Sequence, residues 1–137
     1  MRLVIASLFL AAGVSGLSLV SGCDMLPGQT CACTADFRFF ILNVVDQTSQ
    51  PVTGVTITVT LVRTGQVLPV IQDSGMPGVY FALDDSFVQL FSTAADSVRV
   101  SGQKGASSFA ADFVFDTDTC RCHLNKVSGP ETATLTP

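Results

Sequence analysis

Apolar and polar residues alternate along much of the chain after residue 36, and a period of two predicts β-strands. The clearest strand covers residues 55–61, where four aliphatic residues alternate with three threonines. A similar alternation runs from Phe109 to Phe115. Residues 37–44 form an apolar strand whose period of two is interrupted once, which indicates a bulge. Further strands are predicted at residues 67–71, 79–83, 98–100 and 132–135, with Pro69 suited to a sheet edge.

One segment changes its period and predicts a short helix. Phe87, Leu90, Phe91 and Ala94 are spaced i, i+3, i+4 and i+7, which places them on one helical face. Residues 84–86, Asp-Asp-Ser, precede them and offer side chains that could cap the first turn. We therefore expect one helix of about two turns.

Seven or eight short strands separated by turn residues are typical of a β-sandwich. The predicted fold class is all-β: a seven- to eight-stranded antiparallel or mixed sandwich with one short helix, preceded by a signal peptide. This interpretation assigns residues 1–22 to the signal peptide, 23–35 to a tether and 36–137 to the sandwich domain.

The N-terminus has the organisation of an export signal. A basic start at Arg2 is followed by an apolar run without charge until Asp24, and small residues close the run. The sequence Val20-Ser21-Gly22-Cys23 resembles the lipobox of bacterial lipoproteins. The resemblance implies that Cys23 becomes the N-terminus and carries diacylglycerol and acyl chains, which anchor the protein stably in a membrane. An uncleaved membrane helix is the alternative.

A second resemblance lies at the start of the domain. The stretch from Val45 to Val59 contains Asp46, Gln50-Pro51, Gly54-Val55 and an alternating strand. This order resembles the opening of carboxypeptidase regulatory-like domains, which have a transthyretin-like fold and also carry one short helix between late strands. Ser49 stands where that family often has glycine. The resemblance implies an accessory domain without catalytic residues.

Four cysteines remain once Cys23 is set aside, and they form two Cys-x-Cys pairs: Cys31 with Cys33, and Cys120 with Cys122. In an exported protein an even set predicts disulfides. A bond within either pair would close a small strained ring, so we expect each N-terminal cysteine to bond a C-terminal one. The sequence leaves open which of the two partners each takes.

Composition excludes several functions. Without residues 1–22, which contain one arginine and no acidic residue, the chain has six Lys or Arg against 11 Asp or Glu. This acidic balance argues against nucleic acid as a partner and against electrostatic attachment to anionic lipid. The full sequence has ten Phe, all but Phe9 after residue 22, with one Tyr and no Trp, which suggests core-filling rings rather than a carbohydrate-binding platform.

The candidate chemistry is sparse. His123, the only histidine, directly follows Cys122 and suggests either a zinc site with the cysteines or, beside a Ser or Cys and an acid, a nucleophilic triad. Acidic groups at residues 84–85 and 116–118 suggest either calcium ligands or helix capping and solvated turns. No Gly-x-Ser-x-Gly motif or EF-hand spacing occurs.

The sequence therefore predicts a non-enzymatic domain of the bacterial cell envelope, exported and membrane-anchored through Cys23, with a structural role or an envelope protein as its partner. No cofactor, catalytic residue or metal ligand is expected. The alternative is an accessory domain that binds carbohydrate or a metal such as calcium or zinc.

Overall fold

The computed structural model describes residues 31–72 and 74–137, so the predicted signal peptide and Cys23 lie outside the described residues. This part of the chain contains a 3₁₀ helix, Asp85–Leu90, and eight strands. The strands are β1 Phe39–Val45, β2 Thr56–Leu61, β3 Gln66–Leu68, β4 Val79–Asp84, β5 Asp96–Lys104, β6 Ser107–Thr117, β7 Leu124–Ser128 and β8 Thr132–Thr134.

The strands form two sheets. One sheet has the order β4-β1-β8, and the other has the order β3-β2-β5-β6-β7. β1 and β8 run parallel, whereas the remaining neighbours are antiparallel. The predicted fold class, an all-β sandwich of seven to eight strands, antiparallel or mixed, with one short helix, is confirmed, and the structure has eight strands with one parallel pairing. β3 lies at a sheet edge, as predicted, but it ends at Leu68, directly before Pro69, so the strand predicted at residues 67–71 extends too far.

The core lies between the inward faces of the two sheets. The four aliphatic residues of the 55–61 alternation are all buried, as are Phe113 and Phe115 of β6. The Phe115 ring contacts Phe40 of β1 and Phe91 edge-on, with ring centroids 5.0 and 6.2 Å apart. Aromatic packing across the sandwich thus joins β1 to β6.

β1 contains the predicted irregularity, a register shift between Phe40 and Ile41 in its pairing with β4. Beyond the shift Leu42 and Val44 are fully buried. Phe37 and Phe39, however, are each 59% exposed, so a core-filling role is wrong for these two phenylalanines.

The predicted helix is present but shorter and of another type. Asp84 caps it by accepting the Ser86 N–H at 2.8 Å, as the capping interpretation predicts. It ends at Leu90 because Phe91 is extended, which directs the Phe91 ring into the core. The next carbonyl, of Ser92, accepts the Thr117 N–H at 3.0 Å instead of continuing a helix to Ala94. In the described ranges no helix is long and apolar enough to cross a bilayer.

Candidate functional site at the N-terminal junction

Two disulfides fasten the beginning of the described chain to the segment between β6 and β7. Cys31 bonds Cys120 and Cys33 bonds Cys122, with Cα–Cα distances of 5.5 and 5.3 Å. Disulfides between the N-terminal and C-terminal pairs are as predicted, and the structure selects this one of the two arrangements left open. We call residues 31–36 and 118–123 the junction.

Asp118 shapes the C-terminal half of the junction. Its Oδ1 accepts the Cys122 N–H at 3.0 Å and its carbonyl accepts the Arg121 N–H at 3.0 Å. The hydrogen bond from Cys122 holds the pKa of Asp118 below its usual value, although partial burial opposes it. Arg121 takes a left-handed φ of 54° and its guanidinium Nε donates to the Phe91 carbonyl at 3.0 Å. These hydrogen bonds position Cys120 and Cys122 for their bonds to Cys31 and Cys33.

His123 lies at the centre of the junction and is only 6% exposed. Its Nδ1 is 2.7 Å from Asp85 Oδ2, and its Nε2 is 2.9 Å from Thr34 Oγ1 and 3.5 Å from Asp36 Oδ1. One imidazole therefore links the N-terminal segment, the start of the 3₁₀ helix and the chain that enters β7.

Asp85 is 8% exposed, yet its carboxylate is well supplied with donors. Oδ1 accepts the Leu124 N–H at 2.8 Å, and Oδ2 accepts the Arg38 N–H at 2.9 Å besides contacting His123. Burial raises the pKa of Asp85, but the hydrogen bonds from Leu124, His123 and Arg38 more than offset it, so the pKa lies below its usual value. The ionised Asp85 carboxylate accepts from the imidazole, so Nδ1 carries a proton.

The order Asp85, His123, Thr34 is that of a charge-relay triad with threonine as the nucleophile. The Thr34 hydroxyl, however, donates its one proton to Asp36 and so has none to give to Nε2 of His123. The bond to Asp36 lowers the pKa of that carboxyl. An ionised carboxylate beside the hydroxyl opposes the negative charge that develops when a hydroxyl attacks a carbonyl. The arrangement is better suited to fastening the chain than to nucleophilic attack.

Four cavities formed by the described residues lie elsewhere on the surface. The two with volumes of about 430 and 440 Å³ are lined by loops around Tyr80 and around Asp46, and none of the four is lined by His123 or Thr34. Among the described residues no group of three or more His, Cys, Asp and Glu is arranged to hold a metal ion.

The residues of the zinc and calcium alternatives have other contacts. All four cysteines are in disulfides. Asp84 caps the 3₁₀ helix, and Asp116 accepts a hydrogen bond from Asn125 Nδ2 at 3.1 Å.

An exposed apolar surface begins directly after the junction. Phe37 and Phe39 are each 59% exposed and Ile71 is 73% exposed, while Phe81 of β4 is half-buried. The rings of Phe39 and Phe81 meet edge-on with centroids 5.6 Å apart. These four residues and Asp84 line a cavity of about 150 Å³. We call Phe37, Phe39, Ile71 and Phe81 the aromatic patch.

Sequence reasoning singled out His123 and the cysteines but missed the partners of His123. Thr34 and Asp85 lie 89 and 38 positions from it, and no local spacing relates residues so far apart. The sequence signal for one of these partners was Asp85 itself, an acidic residue shortly before the apolar segment that begins at Phe87.

Comparisons with protein-family models, curated proteins and solved structures gave no match.

Proposed function

We propose that this protein is a lipid-anchored domain of the bacterial cell envelope, without catalytic activity, which serves structurally or binds another envelope protein. The proposal rests on the junction, where the four cysteines and His123 serve to hold the start of the domain in place. Two disulfides and the His123–Asp85 pair converge there.

The junction is where an anchor at Cys23 would pull on the domain. Eight residue steps separate Cys23 from Cys31, and a fully extended chain of this length spans at most ~28 Å. The domain would therefore stay close to the bilayer. A pulling force on the tether would act on the disulfides at Cys31 and Cys33 before it acted on β1. The disulfides would therefore prevent the sandwich from unfolding from its first strand.

A protein partner has sheet edges to bind. β3 and β7 are the outer strands of the five-stranded sheet, and each presents an exposed valine, Val67 and Val127 respectively. An outer strand has backbone N–H and C=O groups directed away from the sheet, to which an extended segment of a partner can add. This supports a protein-binding role that needs no cavity.

Mass spectrometry of the protein from bacterial membranes tests the anchor. We expect a mature chain that begins at Cys23 with diacylglycerol and acyl chains attached, whereas Cys23→Ser should leave the protein unlipidated and released from the membrane. An unmodified Cys23 in the wild-type protein would contradict the proposal. Affinity purification from solubilised membranes, with Cys23→Ser as the control, then tests for a partner.

A further inference from the structure

We infer that the aromatic patch rests on the lipid bilayer, with its phenylalanine rings inserted at the boundary between headgroups and acyl chains. The inference depends on the proposed anchoring and adds to it a specific orientation of the domain. The partner is a lipid surface recognised by apolar contact.

The first argument is the exposure of the aromatic patch. Phe37 and Phe39 are two positions apart, so in an extended chain they share a face. The intervening Arg38 donates through its guanidinium to Asn125 Oδ1 at 2.7 Å. The Arg38 N–H is held by Asp85, which fixes the backbone between the two rings. Large exposed apolar side chains that are held together in this way are typical of a binding surface.

The second argument is the position of the aromatic patch along the chain. Phe37 follows Cys33 by only four residues, and Cys33 is fixed by its disulfide. Asp84, which lines the cavity of the aromatic patch, directly precedes Asp85 of the His123 network. A chain anchored at Cys23 would therefore meet this surface first after the junction. Tethering on so short a linker gives an effective concentration in the millimolar range, which favours even weak insertion.

The third argument is charge. The chain is acidic, the charged residue that lines the cavity of the aromatic patch is Asp84, and Arg38 between the two rings is paired with Asp36 at 3.6 Å. Attraction to anionic headgroups is therefore not available, and apolar insertion into zwitterionic lipid is the contact that remains. Such a contact should be insensitive to salt.

The absence of tryptophan from the sequence permits a direct test. Phe39→Trp places a single fluorophore in the aromatic patch, and Val127→Trp places one on β7 at similar exposure, 55% against 59% for Phe39. Each full-length lipidated variant is reconstituted in phosphatidylcholine vesicles with or without brominated acyl chains. We expect the Phe39→Trp emission to shift to the blue on reconstitution and to lose most of its intensity with brominated lipid. The Val127→Trp emission should change in neither respect, at low or high salt.

The outcomes separate the two proposals. If the protein floats with the vesicles but Phe39→Trp is not quenched, or both variants are quenched equally, the orientation is wrong and the anchor stands. A blue shift without quenching indicates that a second copy or another protein covers the aromatic patch, which also overturns the inference. If the protein does not float with vesicles, the anchoring itself is wrong and the inference falls with it. Both substitutions are at exposed positions, and circular dichroism confirms that each variant is folded.

Discussion

Ser49 occupies a backbone conformation that its side chain disfavours. Its φ is 62°, in the left-handed region, within the turn that follows β1. The turn is held by Asp46, whose Oδ1 accepts the N–H groups of Thr48 and Gln50 at 2.8 and 3.0 Å. These hydrogen bonds, of which that from Gln50 contributes most, hold the pKa of Asp46 below its usual value. The side chain of Asp46 thus maintains a turn in which a glycine would fit better.

Ser49→Gly should therefore stabilise the protein. Glycine removes the left-handed strain, while its greater freedom in the unfolded chain offsets part of the gain, so we expect an increase of about 0.5–1 kcal/mol in the free energy of unfolding. Urea unfolding measures it. Ser49→Ala keeps a β-carbon and should show no increase; a gain of the same size with alanine would contradict the explanation.

Gly129 is required because its backbone is left-handed and because the position has no room for a side chain. Its φ is 136°, and a β-carbon there would lie 2.3 Å from Cδ1 of the fully buried Phe113 ring. Gly129→Ala should lower the free energy of unfolding by about 3 kcal/mol, since overpacking adds to backbone strain. Gly105→Ala is the control: its φ of 61° is also left-handed, but no atom lies within 4 Å. It should cost about 1 kcal/mol, and equal losses at both positions would show that packing on Phe113 is irrelevant.

At the scale of elements, the Asp85 carboxylate ties the 3₁₀ helix to the chain before β1 and to the start of β7. Asp85→Asn leaves donors of this buried network unmatched, and we expect a loss of about 3 kcal/mol in the free energy of unfolding at neutral pH. Asp112→Asn is the control, because Asp112 pairs with Arg99 on the surface and such pairs contribute less than about 1 kcal/mol. Thermal unfolding of both variants gives the comparison.

The same carboxylate gives a pH dependence of known sign. The pKa of Asp85 is lower in the folded state than in the unfolded chain, so its contribution is fully present above about pH 4 and is lost as the pH falls through the folded-state pKa. The wild-type protein should lose stability on acidification, and Asp85→Asn should lose less over the same range. Parallel pH profiles for the two proteins would contradict this assignment.

Elements with one buried face were predictable from the sequence, and the others were not. β2 was predicted residue by residue, because its aliphatic side alone enters the core. β7 was missed, because only Leu124 of its five residues is buried and Val127 faces solvent. The helix was placed correctly but its end was not, since that end depends on a hydrogen bond between Ser92 and Thr117 of β6. Contacts between distant residues, including those of the His123 side chain with Thr34 and Asp85, have no local pattern.

At the scale of the whole molecule, the two disulfides close nearly the same loop. Each spans 89 positions, and a loop of this length has a model value of ~4–5 kcal/mol for one bond. When one bond is present, the other closes only a very short remaining loop. Cys31→Ser/Cys120→Ser or Cys33→Ser/Cys122→Ser alone should therefore cost about 2 kcal/mol, and removal of both bonds about 6 kcal/mol.

Urea unfolding of the two paired variants and of the fourfold variant tests this coupling. The loss in the fourfold variant should exceed the sum of the two smaller losses. Simple additivity would show that the disulfides act through local strain or packing and not through a shared loop.

The two disulfides also determine whether fragments separate after the chain is cleaved by a protease. A single cut in any surface loop between residues 34 and 119 would divide the polypeptide into two fragments that stay covalently joined. On a non-reducing gel the nicked protein should migrate as one species, and only a thiol reagent should separate it into two. For a chain anchored at Cys23 as proposed, release of this domain would thus require either cleavage before Cys31 or a reductant acting together with the protease.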